Sequence, residues 1–95
     1  MTIRSFRDKR LQELFDRKAP KGLPADLVSV VRRKLAMLDA AANLNDLRVP
    51  PAKRLEALKG DRDGQHSIRV TDQFRLCFRW TDDGPADVEL TDYHW

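Results

Sequence analysis

From Gln65 to Trp95 the chain runs QHSIRVTDQFRLCFRWTDDGPADVELTDYHW, with apolar side chains on alternate positions. They are Ile68 and Val70, then Phe74, Leu76, Phe78 and Trp80, then Val88 and Leu90. Period two is the signature of strands with one face buried and the other free. Register decides which residues share the free face, because a slip of one residue turns a whole strand over. A turn through Thr71-Asp72-Gln73 sets Val70 opposite Phe74 and Ile68 opposite Leu76, with every apolar side chain on one side. A turn through Asp72-Gln73 alone would split the core between both faces, so the odd-length turn is expected. A second turn through Thr81-Asp82-Asp83-Gly84-Pro85 keeps that parity, with Phe78 opposite Val88 and Leu76 opposite Leu90.

The free face then collects Ser67, Arg69, Arg75, Cys77, Arg79, Asp87, Glu89, Thr91 and Tyr93. Arg79 can pair with Asp87 across the sheet, whereas Arg75 faces only Thr91. An arginine at mid-face with no carboxylate opposite suits a ligand phosphate. A solvated face with loose ion pairs fits the same pattern equally well.

Upstream, Thr2 to Phe6 is a short strand candidate, and Ser5 with Asp8 resembles a capping box opening a helix. Leu11, Leu14 and Phe15 give that helix an apolar stripe, and Ala19-Pro20-Lys21-Gly22 is expected to stop it. Pro24 suits the first turn of a second helix. There Leu27, Val30, Val31, Leu35 and Leu38 repeat at helical spacing, with the run Ala40-Ala41-Ala42 extending it towards Asn43. A short turn over Asn43–Arg48 precedes Pro50-Pro51, where anything helical ends. Arg54–Leu58 is a short strand candidate that a helical turn would fit as well, and Lys59–Gly64 is a charged loop framed by glycines.

A chain of 95 residues with one cysteine makes one domain, 1–95, without disulfides, which fits a reducing cytoplasm. Its net charge of +3 is compatible with a nucleic-acid partner, and no apolar run is long enough to span a bilayer. No Walker A or dinucleotide-binding pattern is present, so no cofactor is expected. Two histidines and one cysteine at scattered positions match no zinc spacing, so no metal is expected either.

Asp92-Tyr93-His94 is the one place where several proton-transfer groups stand together. Cleaving RNA needs no protein nucleophile, because the ribose 2′-OH attacks the adjacent phosphate. The protein supplies a base, an acid and cations for the developing charge. Arg75 and Lys59 fit the cation role, and Arg62, Arg69 and Arg79 are further candidates to contact RNA. Asp92, Tyr93 and His94 fit proton transfer and positioning, although a Tyr-His-Trp end that simply packs the last strand fits too. Strict alternation puts Tyr93 beside Arg75 but turns Asp92 and His94 towards the helices. The expectation is therefore that the strand frays at Thr91 and the tail swings around the sheet edge. His66, by the same parity, belongs with the apolar face.

Taken together, Arg54–Leu58, the Leu-Lys-Gly-Asp-Arg-Asp-Gly loop, Gly64–Val70, Phe74–Phe78 and the closing Asp92-Tyr93-His94 resemble the HigB group of the RelE/ParE toxin superfamily. The resemblance spans nearly the whole chain. It implies an α+β fold, with two N-terminal helices on one face of a mostly antiparallel twisted sheet of about four or five strands. It implies a type II toxin acting as a metal-independent mRNA interferase, entering the ribosomal A site and cutting the message during translation. The implied partners are the ribosome, mRNA and a HigA-like helix-turn-helix antitoxin, with operator DNA reached only through that antitoxin. Family catalytic roles fall on Arg75, Asp92, Tyr93, His94 and Lys59. Where many relatives have a histidine shortly before the Leu-Lys-Gly, this chain has Glu56. That leaves Glu56 as the base, or leaves one proton-transfer group missing. Two other readings share the scaffold: a gyrase-binding toxin, and a catalytically silent partner acting in a repressor complex.

Overall fold

The computed structural model describes residues 2–18, 22–48 and 55–92. Helix α1 spans Lys9–Phe15 and α2 spans Ala25–Ala40. Strand β1 is Glu56–Ala57, β2 Gln65–Arg69, β3 Phe74–Thr81 and β4 Gly84–Asp92. The strands lie in the order β1-β2-β3-β4, and each neighbouring pair is antiparallel. Arg54 and the proline pair lie outside the described residues.

Both helices cover one face of the sheet. Leu11 and Leu14 of α1 and Leu27, Val31, Leu35 and Leu38 of α2 join Ile68, Leu76, Phe78 and Val88 in one buried cluster. Each such side chain contributes roughly 1.5–3 kcal/mol through burial, which makes this layer the main source of stability. Phe15, expected in the stripe, is instead 36% exposed and packs against Phe6 with the rings tilted by 46° and their centroids 5.6 Å apart.

The first hairpin has the expected register, with Ile68 opposite Leu76 and Arg69 opposite Arg75. Thr71 Oγ1 shapes its turn by accepting the N–H groups of Gln73 and Phe74 at 3.2 and 3.1 Å. The second hairpin differs from expectation. It closes tightly, with Thr81 paired to Gly84 and Trp80 to Pro85, so the turn itself is Asp82-Asp83. Parity is restored further down by a bulge between Cys77 and Arg79, where β4 carries one extra residue and Asp87 adopts φ +55°. Leu76 therefore still meets Leu90, as the apolar pattern demands.

The N-terminal segment is less than a strand. It makes one parallel bridge, Phe6 to Val88, supported by Arg7 N–H to Val88 O at 3.0 Å and Val88 N–H to Ser5 O at 3.2 Å. Asp39 of α2 anchors it by accepting from Thr2 Oγ1 and the Ile3 N–H, both at 2.8 Å. The anticipated capping box does not form. Asp8 alone caps α1, accepting from the Arg10 N–H, while Ser5 Oγ accepts the Asp87 N–H at 2.9 Å. Helix α1 also stops earlier than the Ala-Pro-Lys-Gly segment. Arg17 takes φ +64°, with its N–H on Leu14 O and that of Lys18 on Glu13 O, a Schellman closure without glycine. Pro24 is the N-cap of α2 rather than its first helical residue. The alanine run is cut at Ala41, and Asp46 gathers the freed N–H groups of Ala42 and Asn43 before a one-turn 3-10 helix, Leu44–Arg48.

Candidate functional site

Opposite the helices, cross-strand pairing lays down two polar rows. Glu56, Ser67, Cys77 and Glu89 form one across β1, β2, β3 and β4. Arg69, Arg75 and Thr91 form the next. The expected Arg69–Arg75 adjacency is therefore present, and so is the expected Arg79–Asp87 ion pair, at 3.8 Å.

The centre of this face is not open, contrary to expectation. Ser67 and Cys77 are fully buried, Arg75 is 6% exposed and Gln65 7%. The reason is the loop after β1. Its one-turn 3-10 helix, Gly60–Arg62, brings Arg62 over the sheet. The guanidinium of Arg62 donates to Gln65 Oε1 on β2 at 3.2 Å and pairs with Glu89 on β4 at 2.5 Å, so it lies across the intervening β3. Arg7 approaches the same Glu89 at 3.9 Å.

Nor does Arg75 lack a carboxylate. Its Nε–H donates to Ser67 Oγ at 2.8 Å, and its Nη1 stands 3.6 Å from Glu56 Oε1. Pairing with β4 sets only Thr91 opposite Arg75, and Glu56 reaches in from the far edge of the sheet. Cys77 sits beneath these groups. Burial pushes its thiol up, partly offset by a hydrogen bond with Thr91 and by Arg62, so it stays a neutral thiol at neutral pH.

Asp92 is placed differently from Arg75. Strand β4 does not fray at Thr91 but continues regularly through Asp92, which pairs with Phe74. Alternation puts Asp92 on the opposite face, where it accepts from Gln73 Nε2 at 3.0 Å. Tyr93 and His94 lie outside the described residues. Lys59 is exposed, and Arg69 pairs with Asp72 in the turn. The structure thus brings together Arg75, Glu56 and Arg62 and adds Ser67 and Glu89 to them. Ser67 could have been found from parity, which set it beside Arg75.

His66 belongs to the apolar side, stacked on Phe78 with centroids 6.4 Å apart. Burial, with the nearby Arg48 charge, holds its pKa below the ordinary 6.5. Among the described residues no group of three or more metal-ligating side chains assembles, and no helix is long and apolar enough to cross a membrane.

A family model for the RelE-like toxin of the type II toxin–antitoxin system HigB matches residues 4–94. The chain belongs to the HigB-like toxin family. Toxin HigB-1 of Vibrio cholerae is 44% identical over 78 residues, covering 81% of this chain and 82% of that protein. Endoribonuclease HigB of Proteus vulgaris is 34% identical over 92 residues, covering 97% of this chain and 99% of its own. Among solved structures, the YoeB–YefM complex of Staphylococcus aureus contains a chain that superposes with a TM-score of 0.60 at 18% identity, covering all of this chain and 98% of that one. That likeness speaks for the fold: two helices on an antiparallel sheet. For this HigB-like chain, membership agrees with the described architecture of a helix pair leading into an antiparallel sheet.

Proposed function

We propose that this HigB-like toxin is a cytoplasmic, ribosome-dependent endoribonuclease. It cleaves translated mRNA in the ribosomal A site and is neutralised by a HigA-like helix-turn-helix antitoxin. The observation that carries the reading is the guanidinium of Arg75, oriented by Ser67 and flanked by Glu56 in the middle of the polar face. Support comes also from the near full-length relative named as an endoribonuclease.

In the mechanism, Arg75 binds the scissile phosphate and stabilises the charge that builds as the 2′-OH attacks. Ser67 keeps the guanidinium plane fixed, so little reorganisation is needed. Glu56, half-exposed beside Arg75, is assigned to take the 2′-OH proton. Tyr93 and His94 are assigned to positioning the RNA and protonating the 5′-oxygen, while Asp92, on the opposite face from Arg75, is left out of the reacting groups. Lys59, Arg62, Arg69 and Arg79 follow the backbone on either side. The chain needs no metal for this route, and its small scaffold leaves the ribosome to hold the message.

One observation favours a second reading, a weakly catalytic partner acting mainly in an antitoxin–operator complex: Arg75 already has an acid beside it. Expression of the chain without its antitoxin decides between them. The nuclease reading expects growth arrest, with new 5′-hydroxyl ends mapped inside translated messages and lost when initiation is blocked. Normal growth with intact messages would overturn it, and arrest with supercoiling defects would replace it with gyrase binding.

A further inference from the structure

Two carboxylates end one cross-strand row, Glu56 on β1 and Glu89 on β4, with Ser67 and Cys77 between them. Two guanidinium groups lie over that row. The one from Arg75 takes the β1–β2 half, bonded to Ser67 and beside Glu56. The one from Arg62 takes the other half, bonded to Gln65 and paired with Glu89. Along the row the charges therefore run acid, cation, cation, acid. Arg62, Glu89 and Arg75 all act on the Cys77 thiol buried beneath them, which groups the two cations around one side chain. Like charges so placed repel, and each has to be held where it is. Arg75 starts from a central strand, but Arg62 starts from a single 3-10 turn between Gly60 and Gly64, both at positive φ. Glu89 is the firmer end of their pair. Its strand position is fixed opposite Cys77, its side chain is only 15% exposed, and Thr91 Oγ1 donates to it at 3.4 Å. The Arg62 side chain is 30% exposed, so solvent and ligands reach it.

We infer that Glu89 is a positioning residue for RNA: it holds the Arg62 guanidinium beside that of Arg75, so that both meet one phosphate. The inference rests on the reading of the chain as an RNA-cleaving toxin. Glu56 keeps its place beside Arg75, and no group of the proposed mechanism is displaced. A phosphate set between two cations relieves their repulsion and is held by charge-assisted bonds from both. Ordering Arg62 beforehand spares binding the entropy of fixing a long side chain. Deleting the Glu89 charge therefore has two opposed effects. It removes an anion that repels phosphate, and it releases the cation that binds it. The release prevails, because Arg62 left on its short turn moves away from Arg75.

The test follows two side-chain Nε–H resonances of the ¹⁵N-labelled toxin, assigned by their loss in Arg62→Lys and Arg75→Lys. In Glu89→Gln with a native melting transition, the order parameter of Arg62 should fall from about 0.85 to below about 0.6. A titration with inorganic phosphate at constant ionic strength, read at Arg75, should show affinity weakened about fivefold. Arg62→Gln should weaken it at least as much, and adding Glu89→Gln to that variant should change it by less than about twofold. Glu89→Asp, the milder change, keeps the charge but withdraws it by one methylene, and should weaken binding about twofold. Charge alone predicts the opposite sign, so tighter binding in Glu89→Gln would overturn the inference. An Arg62 that stays ordered, or a full fivefold loss in the Arg62→Gln background, would overturn it too. Neither ribosome nor cleavage enters these measurements. A toxin that cuts messages without them sinks only the positioning role, and one that shows them but cuts nothing sinks only the nuclease reading.

Discussion

Ser67 Oγ accepts the Nε–H of Arg75 at 2.8 Å, between two side chains that the sheet buries almost completely. The bond ties the orientation of the central cation to the β2–β3 register, and through that register to the apolar core behind it.

Removing the hydroxyl tests this link. Ser67→Ala leaves a buried donor unmet, which costs about 1–3 kcal/mol of stability. Cleavage should lose more in kcat than in KM, because the guanidinium remains but its plane is no longer set. Single-turnover assays on programmed ribosomes, beside urea denaturation, measure the two effects.

Arg75→Ala is expected to abolish toxicity, and it should not be structurally silent. An arginine on an open face could be deleted freely, but this one is 6% exposed and bonded to a buried serine. A loss of about 1–3 kcal/mol should accompany the loss of growth arrest. Full arrest by this variant would remove Arg75 from the chemistry.

Acid should weaken the fold through His66. Its folded pKa is lowered below 6.5, chiefly by burial and secondarily by Arg48, so the neutral ring is the form that fits. That stability is fully present above the unfolded value and is lost as pH falls through the folded value. Among the described residues its Nδ1 is a buried nitrogen without a hydrogen-bond partner. Denaturation midpoints taken from about pH 7.5 down to about pH 5 should fall more steeply for the native chain than for His66→Phe.

Among the described residues, two that are not glycine sit in the left-handed region, Arg17 at φ +64° and Asp87 at φ +55°. Arg17→Gly should stabilise the toxin by about 0.5–1 kcal/mol, because its strain is relieved at the end of α1. Asp87→Gly should cost less than Asp87→Ala, since both lose the Arg79 pair but only alanine keeps the strain. Thermal melts of the three variants give the ranking.

Much of this is legible in the amino-acid sequence. Core burial fixes strand parity, so the pairing of Leu76 with Ile68 and with Leu90 follows from the spacing of apolar residues alone. Helix α2 follows likewise from Leu27, Val31, Leu35 and Leu38. What the pattern does not carry is the third dimension over the polar face. Arg62 folding across to Glu89, and Glu56 reaching in from β1, depend on loop geometry that no periodicity encodes. For that reason Arg75 looked solitary and exposed in the sequence. The tight turn at Asp82-Asp83 escaped notice for a related reason: a bulge lets a short loop and a longer one deliver the same downstream register.

That bulge separates the tip of the β3–β4 hairpin from the chemistry below it. Asp87 absorbs a one-residue mismatch midway, so losing a single amino acid from the hairpin can be accommodated by straightening β4 there. The tip is thus free to change in length and composition while the polar face around Arg75 keeps its alignment.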